Sequence, residues 1–170
     1  MDHQELQSIL TIIGERVPAS SQITLIGGSA LILLGSARLT VDIDFIGDDI
    51  HPNELHQQIL QIAKELKIHI EPVPFERFVP LPDGNEKRAI SVGKYGNLTV
   101  SIADPYSIAL SKVDRGLESD IDDLIFLIKH KHIELNELER IVLQVVSKAG
   151  KFDLHPDILA HLEDLKMRTK

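Results

Sequence analysis

Two aspartates, Asp42 and Asp44, stand inside an otherwise apolar run, Val41-Asp42-Ile43-Asp44-Phe45. Ionised carboxylates are costly to bury unless a cation or hydrogen-bond donors compensate them. On a strand both would point to one face, roughly 7 Å apart along the chain. That spacing suits a hard divalent cation such as Mg2+, which takes one or two carboxylates and keeps positions for phosphate oxygens. Upstream, Leu25-Ile26-Gly27-Gly28-Ser29-Ala30 places a Gly-Gly-Ser turn after a second apolar run. Gly27 and Gly28 permit close backbone approach, and the helix expected to follow presents free N–H groups and the positive end of its dipole. Ser29 adds a hydroxyl. A triphosphate at the turn and a metal at the aspartates together make a metal-dependent nucleotide site. Each half alone has an ordinary explanation: a tight turn for the glycines, a strand end reaching solvent for the aspartates. The combination is more specific, because residues 30 to 41 leave room for one helix and a return into a neighbouring strand.

The elements that must position these residues follow from periodicity. Leu6, Ile9, Leu10 and Ile13 predict an amphipathic helix over 3–15, ended by Gly14 and Pro18. A short strand is expected over 23–26, a helix over 30–34 closed by Gly35, and a strand over 40–46. Leu55, Ile59, Ile62 and Leu66 predict a helix over 53–66, and a strand follows over 67–73. Residues 75–84, with Pro80 and Pro82, read as a loop. Strands over 88–92 and 98–102 flank Gly93-Lys94-Tyr95-Gly96-Asn97, consistent with a hairpin. Asp104 before Pro105 reads as a helix N-cap with proline in the first turn. Helices are then expected over 105–116, 119–131, 134–148 and 156–167. This order predicts an α+β chain: a mixed α/β sheet with a helical C-terminal portion. The expectation is one structural domain, with an α/β core over 1–103 and helices over 104–170 packed on it.

A second group of charged residues lies in the helical part. Lys112 and Arg115 are three apart, hence neighbours on one helical face, and Asp120 and Asp123 stand in the same relation at the start of the next helix. One reading is structural, with Ser119 or Asp120 capping a helix and the acids pairing with Lys112 and Arg115. The other sends Lys112 to nucleotide phosphates. The eight histidines are scattered without zinc-like spacing, and Asp48-Asp49 reads as a solvated loop. The glycine-rich Walker and dinucleotide-binding signatures and the nucleophile-elbow signature are all missing.

Composition narrows the partners. The net charge is −8 and the lysines and arginines form no long run, so extended nucleic-acid binding, including extended DNA binding, is not expected. A small nucleotide or a local RNA contact fits better. With 43% apolar residues but only 4% aromatics, the core must rest on Leu, Ile and Val. No run of about 20 apolar residues occurs, so no membrane span is expected. The absence of cysteine and of a basic N-terminal leader fits a cytoplasmic protein.

Gly28-Ser29, then Asp42-x-Asp44 on the next strand, resembles the nucleotidyltransferase superfamily with its DNA polymerase β-like fold. The fuller strings, Gly-Gly-Ser-Ala-Leu and Arg-x-Thr-x-Asp-Ile-Asp-Phe, are similar to its bacterial abortive-infection and toxin–antitoxin branch. The resemblance implies Mg2+-dependent transfer of a nucleotidyl group from an NTP to a hydroxyl on RNA or protein, with a cognate antitoxin as a further partner. The alternative within the same fold is an inactive module that binds a nucleotide or a protein. Carried onto this chain, Gly27, Gly28 and Ser29 contact phosphate, while Asp42 and Asp44 hold metal. Active members supply a third carboxylate from a later strand; Glu71 is the best placed here and Glu76 the next, although Glu71 also reads as an exposed strand-end residue. Lys112 and Arg115 resemble the branch's basic helix, which makes them candidate phosphate contacts. Asp120 and Asp123 would then act on conformation rather than bind metal, and Ser119 stands where the branch often has a basic residue.

Overall fold

A computed structural model describes residues 1–148 and 150–170. The elements are α1 (His3–Arg16), β1 (Ser21–Ile26), α2 (Gly27–Leu33), β2 (Asp42–Ile46), α3 (Glu54–Leu66) and β3 (His69–Val73). After a 3-10 turn at Phe75–Arg77 come α4 (Asn85–Arg88), β4 (Ile90–Tyr95) and β5 (Leu98–Ile102). Four helices complete the chain: α5 (Pro105–Arg115), α6 (Glu118–Lys129), α7 (Leu135–Ser147) and α8 (Ile158–Arg168). The expected mixed α/β architecture with a helical C-terminal part is present. Contacts divide the chain into two compact units, Met1–Phe75 with Ala89–Ala103 and Glu76–Arg88 with Asp104–Lys170. Residues 76–88, read from the sequence with the N-terminal part, therefore group with the helices.

The first unit is built on a five-stranded sheet in the order β3-β2-β1-β5-β4. β1 runs antiparallel to β2 and parallel to β5, β2 runs parallel to β3, and β4 and β5 form an antiparallel hairpin. The pairings Leu25↔Phe45 and Leu25↔Ile102 set three buried side chains in a row across β2, β1 and β5. Leu6, Leu10 and Ile13 of α1, and Ile59 of α3, are also buried in this unit's core. Each such side chain contributes on the order of 1.5–3 kcal/mol by leaving water. Because side chains alternate along a strand, burying Ile43 and Phe45 on one face of β2 puts Asp42 and Asp44 on the other.

Several boundaries move for identifiable reasons. α1 does not stop at Gly14; it runs to Arg16, with Val17 extended before Pro18. Gly14 is there because the β4 backbone passes over it: a Cβ at this position would lie 1.7 Å from the Tyr95 carbonyl oxygen. The hairpin connection is shorter than read from the sequence. Tyr95 pairs with Leu98, so only Gly96-Asn97 turns the chain, and Gly93 sits at a bulge. Asn97 ties this turn to α1, donating from its backbone to Gly14 O at 2.8 Å and from its side chain to Val17 O at 3.0 Å. The single-turn α4 fills the gap between the expected loop over 75–84 and the expected strand over 88–92, and takes Arg88 from that strand. Its four residues bury none of their side chains, so no apolar periodicity announced it.

α3 begins where expected, with Asn53 accepting from His56 N as its N-cap. His56 is buried edge-on against Phe45, ring centroids 4.7 Å apart, and burial lowers its pKa from 6.5. The folded chain therefore binds this proton less readily than the unfolded chain. Its contribution to stability is complete above about pH 6.5 and is lost as the pH falls from there through the folded pKa. Melting temperatures measured between pH 7.5 and 5 should drop, and His56→Leu should flatten that dependence; an unchanged slope in the variant would assign it to other groups.

The second unit is helical. Asp104 caps α5 by accepting from Tyr106 N, with Pro105 in the first turn as the sequence suggested. Its core is made by Ile108 and Val113 of α5, Leu124 and Leu127 of α6, Leu138 and Val142 of α7, and Leu162 and Leu165 of α8. Among the described residues no helix is long and apolar enough to cross a membrane.

Candidate functional site

The strand β1 passes into α2 without an intervening loop, so Gly27, Gly28 and Ser29 form the first turn of the helix rather than a linker before it. Gly27 has φ +64, a left-handed conformation that glycine adopts without steric cost. Space excludes a side chain as well, since a Cβ on Gly27 would meet Asp44 Oδ2 at 2.4 Å. At Gly28 a Cβ would meet Thr40 Oγ1 at 2.8 Å and Arg38 Cζ at 3.4 Å. The two glycines are thus the floor on which the Asp44 carboxylate, the Thr40 hydroxyl and the Arg38 guanidinium rest.

Thr40 is the organiser of this row. Its backbone N–H donates to Met1 O at 3.1 Å and its own carbonyl accepts from Met1 N, which holds the chain just before β2. Its buried hydroxyl donates to Asp42 Oδ1 at 2.9 Å. These bonds explain why β2 starts at Asp42 and not at residue 40, and they orient the Asp42 carboxylate. Val41, by contrast, is 81% exposed.

Ser29 is fully buried, and its hydroxyl donates to Ile26 O at 3.0 Å, inside the turn. The structure places Glu71 directly beside Asp44, in parallel register on the neighbouring strand, and leaves it exposed. Among the described residues no three His, Asp or Glu side chains converge closely enough to hold a metal ion. Asp42 and Asp44, hard oxygen donors on one strand face, are the pair that would hold a cation here. Two carboxylates fit Mg2+, which completes its octahedron with water and substrate phosphates.

The charged residues of the second unit are brought together too, but around one another. Lys112 is 3% exposed, and its ammonium donates to Asp120 Oδ1 at 3.1 Å and Asp123 Oδ2 at 2.6 Å. Arg115, far more exposed, grips Asp120 through Nε at 3.1 Å and a terminal nitrogen at 2.5 Å. Burial on its own would raise the Asp120 carboxyl, but the Arg115 hydrogen bond and the Lys112 charge outweigh it and hold the pKa below the usual carboxylate range. The expected cap is corrected here: Leu117 occupies the N-cap of α6 with no side-chain bond, and Asp120 is spent on the two cations. The same unit has a cavity of about 170 Å3 between the Pro80–Asp83 segment and α7, and none of these four residues lines it.

Two residues beside these glycines, Arg38 and Thr40, entered the sequence analysis only within the Arg-x-Thr-x-Asp-Ile-Asp-Phe string, with no contact or role of their own. Their signal was the alternation itself, since residues 38, 40, 42 and 44 share one parity.

No curated protein and no solved structure matches the chain. A protein-family profile does, over residues 4–164, and its description is that of a nucleotidyltransferase of unknown function. That span takes in both units and every candidate residue, so the chain belongs to this family, DUF6036.

Proposed function

We propose that the chain is an Mg2+-dependent nucleotidyltransferase that moves a nucleotidyl group from an NTP to a hydroxyl on RNA or protein. The observation that supports this reading most is Asp44 standing against a Gly-Gly turn that has no room for side chains, with Asp42 on the same strand face and bonded to Thr40. In the transfer, the acceptor oxygen bonds to the α-phosphorus, the bond from that phosphorus to the bridging oxygen breaks, and pyrophosphate leaves. Bound at the two carboxylates, Mg2+ would neutralise phosphate charge as the bonds exchange. The protein's own work is positioning and electrostatics. The Thr40 hydroxyl fixes Asp42 through Oδ1, which leaves Oδ2 to face a cation or the departing hydroxyl proton. Gly27 and Gly28 let the Asp44 carboxylate and the Thr40 hydroxyl lie directly against the backbone of the turn.

Each α-labelled NTP, incubated with the protein, Mg2+ and total cellular RNA plus protein, should label one acceptor class, and EDTA should abolish the label. No labelled acceptor and no thermal stabilisation by any Mg-NTP would overturn the proposal. Stabilisation without transfer would identify a nucleotide-binding module of the same fold, the reading that a two-carboxylate donor set favours.

A further inference from the structure

We infer that Arg38 is the residue that binds the nucleotide's phosphates at this site, a role that rests on reading Asp42 and Asp44 as a metal–nucleotide centre. The exposure pattern and the glycine contacts both point this way. Leu39 and Val41 are 69% and 81% exposed, so the odd-numbered side chains before β2 turn to solvent. The even-numbered ones turn to the Gly27-Gly28 floor: Arg38 Cζ lies 3.4 Å, and Thr40 Oγ1 2.8 Å, from where a Gly28 Cβ would stand. The neighbouring Gly27 faces Asp44 Oδ2 in the same manner.

One end of the floor therefore carries carboxylate and the other guanidinium. A metal-bound polyphosphate has the complementary arrangement, with its cation at the carboxylates and free anionic oxygens beyond it. Arginine suits that second position because its planar fork donates two parallel hydrogen bonds to a phosphate. The residue is also held in place. Its backbone N–H donates to Ser36 Oγ at 3.3 Å, and Thr40, two residues on, is pinned by its backbone bonds to Met1. The side chain is half-buried, so part of it meets solvent.

The test is titration calorimetry of the full chain with Mg-ATP and with Mg-tripolyphosphate, which has the phosphates without sugar or base. Arg38→Ala should weaken both by a similar factor, about ten- to a hundredfold, the range of a charge-assisted hydrogen bond. Arg38→Lys should restore part of the loss, because it keeps the charge and lacks the fork. Affinity for Mn2+ alone, followed by water-proton relaxation, should stay within about twofold of wild type, and thermal melts should show Arg38→Ala and Arg38→Lys folded. If Arg38→Ala does not fold, Arg38→Gln and Arg38→Lys carry the comparison. Wild-type-like Mg-ATP affinity in Arg38→Ala, with binding lost in Asp42→Asn/Asp44→Asn, overturns the role of Arg38 and leaves the site standing. A loss of Mn2+ affinity equal to the loss of Mg-ATP affinity would overturn it too, by making Arg38 a support for the carboxylates. If wild type binds neither ligand, the site reading itself fails and this inference falls with it.

Discussion

Replacing both aspartates, Asp42→Asn/Asp44→Asn, is expected to abolish nucleotidyl transfer, by about a thousandfold or more, and to leave the fold intact. The exchange is nearly isosteric, and an asparagine oxygen at position 42 can still accept the Thr40 hydroxyl that now bonds Asp42 Oδ1. What disappears is two negative charges on one strand face. A cation held by two carboxylates, as proposed, would then meet neutral amide oxygens instead. Losing several kcal/mol of transition-state stabilisation corresponds to that thousandfold, at about 1.4 kcal/mol per factor of ten. Thermal melts without ligand should show the double variant folded. Two measurements check this together: the rate of label transfer, and the rise in melting temperature produced by Mg-NTP. Wild-type transfer in the double variant would remove the aspartates from the reaction. Glu71→Gln belongs in the same series. Glu71 is in register beside Asp44, so a comparable loss there would enrol it as a third ligand, and a loss below about threefold would leave it an exposed strand residue.

The ease with which this site could be read from the sequence differs residue by residue. Asp42 and Asp44 stood out because charge inside an apolar alternation violates the pattern of its own strand. The glycines stood out because two in succession after an apolar run demand a backbone reason. Arg38 and Thr40 were visible only as letters of the Arg-x-Thr-x-Asp-Ile-Asp-Phe string, and the contacts at Gly28 show what they touch. The fold followed the same rule. α1, α3, α5 and α7 carry apolar stripes over three or more turns and were legible, whereas α4 has one turn and no buried side chain. Gly14 was misread because a glycine late in a helix has two explanations, a stop or a close approach. Sequence periodicity cannot distinguish them; a β4 carbonyl 1.7 Å from the missing Cβ can. Lys112 and its acids were correctly seen as neighbours, but spacing gave no measure of burial.

Burial is what gives Lys112 a large expected effect on stability. Its ammonium lies among two carboxylates, with side chains 4% exposed for Lys112, 1% for Asp120 and 8% for Asp123. Removing one partner of a buried ion pair leaves charge in a medium that solvates it poorly, at a cost of about 3–5 kcal/mol. Asp120 would retain Arg115, so Lys112→Met should fall at the lower end, about 3 kcal/mol. For a chain of this length that corresponds to a melting temperature lower by about 6–12 °C. The partners then predict the rescue. Lys112→Met/Asp123→Leu removes the ammonium together with one of its acids, and should be less destabilised than the sum of the two single variants by about 1–3 kcal/mol. Acid should act on the same cluster. Asp120 titrates below its ordinary value, so its contribution is complete above about pH 4 and is lost as the pH falls through the folded pKa. Lys112→Met should shrink that acid-side loss, because the lysine charge helps hold the carboxylate ionised. Denaturant melts of the single and double variants at pH 7 and pH 3 measure all of this, and strict additivity at pH 7 would show that the pair is not coupled.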